Sequence, residues 1–390
     1  VRQLPFEYAF RNLGRSPVRL AASLIGSALV VLLALGAGGF VRGMQLTLTT
    51  HSPLHENVII LGAGSEEAIE RSQIDAGLDS IAAASIPGLR TEAGVVFASP
   101  EIHMALAIRE SAESEEQLEA VFRGMRPVAL LVHSEVEMIE GRPPEQGREE
   151  IMVGAMTATR LGVSPERLAL GRTLYFDNRD WTIVGRFAAT NTVMDAEIWI
   201  PLTDLQIATK RESSLSCVVL ALGDAIFTDV DLFAKSRLDL EISAISESDY
   251  YRSIATFYRP IRIMILVTAC LISLGALLGG LNTMYAAFAS RVREVGMLES
   301  LGFTRAAIVC SLTEESLFIS ACGALIGAAI GLALLDGIAI RFSMGAFALV
   351  VDAPVLLAGL SAGLLVGFVG AIPPSIRCLR LPITEALKAH

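Results

Sequence analysis

Four stretches of the chain stay apolar for longer than a soluble helix requires. Residues 20–40 carry no charge across 21 positions, residues 263–290 none across 28, and residues 353–376 none at all. Residues 306–335 carry only Glu314 and Glu315. A helix rises ~1.5 Å per residue, so ~20 apolar residues cross the ~30 Å hydrocarbon core of a bilayer. The pattern predicts four transmembrane helices, at 20–44, 259–290, 306–338 and 353–376. The first run exceeds the roughly 7–15 apolar residues of a secretory signal, so it reads as a span.

Between the first two spans the pattern changes. Residues 57–61 are a β-branched run and predict a strand. Residues 66–84 have helical spacing, with Ser65 as N-cap. Residues 94–98 and 102–109 read as a hairpin turning at Ser99-Pro100. Further strands are expected at 121–125, 170–174, 181–187, 198–200 and 215–222, with helices at 155–161 and 226–238. Together they predict an α+β domain over 45–258, built as two intertwined lobes with the second inserted into the first. Tyr250, Tyr251, Phe257 and Tyr258 precede the second span and suit an aromatic belt at the membrane surface, packing under the outer domain, or both.

Charge adds the orientation. Segment 42–260 holds 19 Lys and Arg against 33 Asp and Glu, a net of −14, and the rest of the chain is +4. Basic residues cluster before the first span, between the second and third, and after the fourth. The positive-inside rule therefore predicts both termini and segment 291–305 in the cytoplasm, and the acidic domain outside. Residues 1–19 read as an amphipathic helix on the inner face and 377–390 as a cytoplasmic tail. The chain is 53% hydrophobic with a mean hydropathy of +0.55. The acidic outer segment weighs against nucleic-acid binding. Of five cysteines only Cys217 lies in the outer domain, so no disulfide is expected inside it.

Candidate chemistry is sparse. His51 and His55 stand four apart, but Pro53 between them argues against a helical metal pair, so no metal site is expected. No serine nucleophile elbow or paired carboxylate spacing occurs, and the chain is not expected to be an enzyme. Glu314 and Glu315 are intramembrane carboxylates, and such groups are functional candidates. Gly275 and Gly279 in the second span, with Gly323, Gly327 and Gly331 in the third, give small-residue faces for helix packing. Segment 291–305 alternates charge, glycine and apolar residues between two spans. Arg293 and Glu294 offer charges, Met297 and Leu298 apolar anchors, and Gly296 and Gly302 allow close approach or a tight exit turn.

Several of these stretches resemble one family. Ala9-Phe10-Arg11-Asn12-Leu13 followed by Ser16-Pro17-Val18-Arg19 is similar to the N-terminal signature of MacB/FtsX-type permeases. So are Glu140-Gly141-Arg142 with Glu149, Ile151, Val153 and Gly154, the run 171–187, and Pro382 to Leu387. The most specific stretch is Arg291, Arg293, Glu294, Gly296, Leu298, Ser300, Leu301 and Gly302. The resemblance implies a type VII, or mechanotransmission, ABC transporter permease without a fused ATPase. In that family 291–305 is a coupling helix docking on a cytoplasmic ATPase, and two permease copies move their outer domains. Lys210, Lys235 and Lys388 are the only lysines and none lies in a phosphate-binding Gly-x-x-x-x-Gly-Lys-Ser/Thr loop. ATP and Mg are therefore expected on a separate ATPase, present in two copies, with no cofactor on this chain. A membrane-fusion type periplasmic adaptor, membrane lipid and a second permease copy are the other implied partners, in the bacterial inner membrane. The implied function is export or extraction of a lipid, lipoprotein, peptide or antibiotic. An FtsX-like scaffold activating cell-wall hydrolases is the alternative. A bacitracin-type resistance permease would have more spans.

Overall fold

The computed structural model describes residues 17–49, 57–189, 192–289, 292–342 and 345–378. Most of the 1–19 segment, the His51/His55 pair, Arg291 and the tail from 379 onwards lie outside the described residues. The chain forms two compact units. One comprises Val1–Arg42, Pro260–Ile338 and Leu349–His390; the other comprises Gly43–Arg259 and Ala339–Ala348. They are called the membrane unit and the polar unit below.

Helix α1 is Pro17–Thr49. In the polar unit, β1 (Asn57–Gly62) is followed by α2 (Leu78–Ser85), β2 (Ala98–Ile108) and β3 (Leu118–Met125). Next come α3 (Ala129–Val132), β4 (Glu137–Gly141), β5 (Glu150–Gly154) and α4 (Thr157–Leu161). Then follow β6 (Thr173–Phe176), β7 (Arg179–Ala188), β8 (Ile198–Pro201) and α5 (Leu202–Thr209). The unit continues with β9 (Cys217–Ala221), α6 (Phe227–Ser236), β10 (Ile242–Ser246) and α7 (Glu247–Phe257). These ten strands make one sheet in the order β10-β1-β9-β2-β3-β8-β5-β7-β4, with β6 added on β7.

The sheet joins two lobes through one strand. Residues 98–101 of β2 pair antiparallel with β9, placing Glu101 opposite Cys217. Residues 102–108 of the same strand pair with β3, from Ile102 opposite Gly124 to Ile108 opposite Leu118. The first lobe is β10, β1 and β9; the second is β3 to β8. The order of the strands explains why the lobes are intertwined: β9 and β10 return to β1 after the second lobe is complete. A core of Phe122, Phe176, Trp181, Ile183 and Ile198 fills the second lobe, with Phe176 stacked on Trp181 at 4.7 Å. The loop between β6 and β7 is Asp177-Asn178, both at positive φ (50° and 58°), which matches the strand twist in a two-residue hairpin.

Three local expectations change. The helix expected over 66–84 is cut short: only Leu78–Ser85 is α-helical. Ile74–Asp75 pairs instead with Ser214–Leu215, and the buried Ser72 hydroxyl accepts the Gly62 N–H at 2.8 Å. Tertiary hydrogen bonds here outcompete helical spacing. No turn forms at Ser99-Pro100, which lies inside β2. Ser216 N–H donates to Glu101 O and Ala221 N–H to Phe97 O, so the odd residues face β9. The proline nitrogen therefore faces the edge where pairing begins only at Ile102, and its missing N–H costs no ladder bond. The aromatic belt is the third. Tyr250, Tyr251 and Tyr258 are buried in the polar unit, and Tyr258 meets Phe342 edge-on at 5.5 Å; Phe257 alone of the four is exposed.

In the membrane unit, α8 is Arg259–Ala289, α9 is Val292–Ser300 and α10 is Arg305–Leu334. A hairpin of β11 (Ala339–Phe342) and β12 (Gly345–Ala348) follows, and α11 is Ala353–Cys378. The hairpin groups with the polar unit, packing on α4 and on the turn at Val193–Ala196. Among the described residues four helices are long and apolar enough to cross a membrane: Leu20–Leu48, Arg259–Asn282, Arg305–Leu334 and Ala353–Ile376. The buried face of α10 carries Gly323 and Gly327 against α1. A Cβ on Gly323 would stand 2.6 Å from Leu24 O, and one on Gly327 2.5 Å from Ala28 O, so only glycine permits this approach. Gly359, Gly363 and Gly367 do the same on α11, meeting Leu35, Val31 and Ser320. Hydroxyls tie the bundle: Ser27 donates to Ser320 O at 2.8 Å and Ser316 to Gly367 O at 3.0 Å.

Where β2 changes partner, the polar unit buries an ionic network. Arg123 on β3 is 1% exposed. Its guanidinium donates twice to Glu197 (2.7 and 3.0 Å) and once to Glu101 (2.5 Å), and lies 5.3 Å over the Trp199 ring. Burial alone would raise both carboxyls, but the adjacent Arg123 holds them below the ordinary carboxylate range, Glu101 well below. Burial would likewise lower Arg123, and the two carboxylates hold it well above its usual value. Removing one member strands a buried charge, which costs about 3–5 kcal/mol. Arg123→Met is expected to lower stability by that amount in denaturant or thermal unfolding, and Arg123→Met with Glu101→Gln and Glu197→Gln to recover more than half. Equal stability of Arg123→Met and the parent would contradict the network's role. Because Glu197 is depressed, its contribution is complete above the ordinary value of 4.5 and is lost as pH falls through its lowered pKa.

Candidate coupling helix and relatives

Helix α9 is short, charged and bounded by two apolar helices. Val292 and Val295 are buried with Met284 of α8 and Ile308 and Leu312 of α10, and Leu298 and Phe303 pack on that cluster. The 3.6-residue period then puts Arg293, Met297 and Leu301 on the other side. Met297 is 46% and Leu301 65% exposed, and Arg293 is exposed.

The exit of the helix is a complete Schellman turn. Gly302 N–H donates to Glu299 O (3.0 Å) and Phe303 N–H to Leu298 O (3.2 Å), while Leu298 and Phe303 share one apolar cluster. Gly302 has φ +89°, the left-handed region that costs a side-chain-bearing residue about 1–2 kcal/mol. Thr304 then caps α10 by accepting from Ala307 N–H at 3.3 Å, and Arg305 reaches back to Glu299 at 2.7 Å. The turn is thus fixed at both ends.

The residues singled out from the sequence divide accordingly. Arg293 and Met297 lie on the exposed face. Glu294 and Leu298 are partly buried at its margin, and Gly296 is buried within the helix. Gly302 forms the exit. Leu301, which the sequence marks only as part of the family-like stretch, belongs to the same exposed face, four residues from Met297. Glu315 is buried in the α10 stripe with Ser311, Ser316 and Ser320, while Glu314 is partly exposed and accepts from the Cys310 thiol at 3.5 Å. Gly323, Gly327 and Gly331 meet α1, whereas Gly275 and Gly279 of α8 have no atom within 4 Å of a would-be Cβ. None of the apolar window of α8 is buried within the chain. Beside α8 runs an apolar cleft of about 770 Å³, lined by Leu32, Phe40, Met264, Ile272, Ile330 and Leu334 among others.

Gly302→Val is expected to destabilise this turn by about 1–2 kcal/mol and Gly302→Asn by less, read as the thermal transition of the detergent-purified protein. An unchanged transition in Gly302→Val would contradict the turn geometry.

Two family models match the chain. The MacB-like periplasmic core domain matches residues 20–230, more than half of it, and the FtsX-like permease C-terminal domain matches residues 266–383. The chain is 22% identical over 398 residues to the uncharacterized ABC transporter permease YknZ of Bacillus subtilis (strain 168), covering 96% of this chain and 95% of YknZ. It is 20% identical over 235 residues to the macrolide export ATP-binding/permease protein MacB of Shewanella sp. (strain W3-18-1), covering 57% of this chain but only 36% of that protein. The crystal structure of the periplasmic region of MacB from Actinobacillus actinomycetemcomitans covers 51% of the chain at 11% identity, with a TM-score of 0.38. With its core domain between the first and second of four apolar helices, this chain belongs to the MacB/FtsX-type ABC transporter permeases.

Proposed function

We propose that the chain couples ATP hydrolysis by a separate cytoplasmic ABC ATPase to movement of its extracytoplasmic domain. The observation that carries this reading is the two-faced α9. One face is locked to α8 and α10, and the other presents Arg293, Met297 and Leu301 outward. Two apolar anchors four residues apart beside an arginine form a compact docking patch for a protein partner. The chain has no phosphate-binding loop of its own, and it matches YknZ, named a permease, along nearly all of that protein. Both support an ATPase supplied in trans, holding ATP and Mg. In this reading α9 and both termini are cytoplasmic, in the inner membrane.

Two permease copies and two ATPase copies make the working assembly. The exposed apolar surface of α8 suits a second copy or lipid, with Gly275 and Gly279 as its small-residue positions. The MacB-like core favours export or extraction, with a periplasmic adaptor, over an FtsX-like scaffold for cell-wall hydrolases. Within the cargo range of lipid, lipoprotein, peptide and antibiotic, the apolar cleft beside α8 supports the lipid and lipoprotein end. Glu314 and Glu315 are proposed to serve the inner end of the third span, Glu315 within the bundle.

Met297→Glu with Leu301→Glu is expected to weaken ATPase association by about thirtyfold, or about 2 kcal/mol, while insertion and melting stay unchanged. Leu232→Glu, an exposed position in the polar unit, is the control and should bind normally. Normal ATPase assembly in the double variant would overturn the docking face.

A further inference from the structure

We propose that the polar unit holds a divalent transition-metal ion between His133, Glu135 and Glu247. The three residues come from different places. His133 and Glu135 follow α3, and Glu247 opens α7. His133 is fully buried, and its Nε2 lies 2.7 Å from Glu101 Oε1. Glu101 is ionised against Arg123, so Nε2 carries the proton and donates. In the neutral ring this leaves an Nδ1 lone pair free to bind a metal, and Nδ1 has no hydrogen-bond partner. What it faces is two carboxylates: Glu247 Oε1 at 3.9 Å and Glu135 Oε1 at 4.0 Å.

Nδ1 between two buried carboxylates calls for positive charge among them: a proton on the ring supplies one charge, and a divalent ion held by all three groups supplies two. The orientation is that of metal-binding imidazoles, whose second nitrogen donates to a carboxylate that fixes the ring. The second carboxylate is steadied as well, since Asn57 Nδ2 donates to Glu247 Oε2 at 2.8 Å. The three ligand atoms lie within 4.8 Å of one another. Bonds of roughly 2.0–2.2 Å to a tetrahedral ion put ligand atoms about 3.3–3.6 Å apart, so each glutamate closes on His133 by about 0.3–0.7 Å and the two glutamate oxygens on each other by up to about 1.5 Å. One nitrogen and two carboxylate oxygens suit Zn²⁺ or Mn²⁺, with water as a further ligand. The Glu135 side chain is 19% exposed, which provides the way in. An ion here would fasten the first turn of α7 to the α3 loop and to Glu101 on β2. The neighbouring trio Glu101, His103 and Cys217 is a weaker candidate, because both Glu101 oxygens already accept from Arg123, His133, His103 and Ser99.

The test uses the full-length permease in detergent, stripped with chelator and then dialysed against Zn²⁺. About one zinc per chain by elemental analysis is expected, with a higher melting transition. Glu135→Gln and Glu247→Gln should each lose both effects, while His51→Ala with His55→Ala should keep them. Co²⁺ on the parent protein should give visible d–d bands of a nitrogen- and oxygen-ligated site, a readout needing no variant to fold. Zinc below about 0.1 per chain, no Co²⁺ bands, or unchanged binding in folded Glu135→Gln would overturn the proposal.

Discussion

The structure depends on one incompatibility: charge and hydrocarbon do not mix. An arginine or lysine at the centre of a spanning helix costs about 2.5–3.5 kcal/mol even on the mildest insertion scale. Residues 292–305 hold Arg293, Glu294, Glu299 and Arg305 between two helices that must be in lipid. The segment is therefore kept at the surface and folded back on Met284, Ile308 and Leu312. Its inner face spends all of its apolar residues but Met297 and Leu301, which are left facing out. In the proposed coupling role this uncovered apolar patch is what a partner would push against, and the Schellman turn at Gly302 with the Thr304 cap would carry that push to α10.

The polar unit answers a different problem. Strand β2 must belong to two lobes at once, and its switch residue is Glu101, opposite Cys217 on one side and adjacent to the first β3 pair on the other. A carboxylate there, tied to Arg123, His133 and His103, makes the register of both lobes depend on one network. A buried ion pair is a poor source of net stability but a strong penalty against mispairing. A one-residue slip of β2 would carry the Glu101 carboxylate away from Arg123 and His133 and leave it buried without them. The same network orients the His133 ring toward Glu135 and Glu247.

Much of this was readable because it depends on local rules. The four spans follow from charge-free length, and β1, β3, β7 and α6 from runs and alternation in their own residues. Pro100 misled because a turn signal was read without knowing which edge of the strand was unpaired. The 66–84 helix failed because Ser72 and Ile74 found partners far along the chain. The β11–β12 hairpin is four residues a side in a short connection between spans, too brief for a periodic signal. The Arg123 network and the His133, Glu135, Glu247 group join residues from 101 to 247, a distance over which spacing carries no information. By contrast, the four-residue spacings of Gly359, Gly363 and Gly367 and of Met297 and Leu301 are visible in the sequence itself.

The central claim is that this permease works with a separate ATPase. Its most direct test is gentle affinity purification from native membranes, with every stoichiometric partner identified by mass spectrometry. The account predicts a nucleotide-binding ABC ATPase at one copy per permease chain. Recovery of the intact permease with no ATPase at all would contradict it.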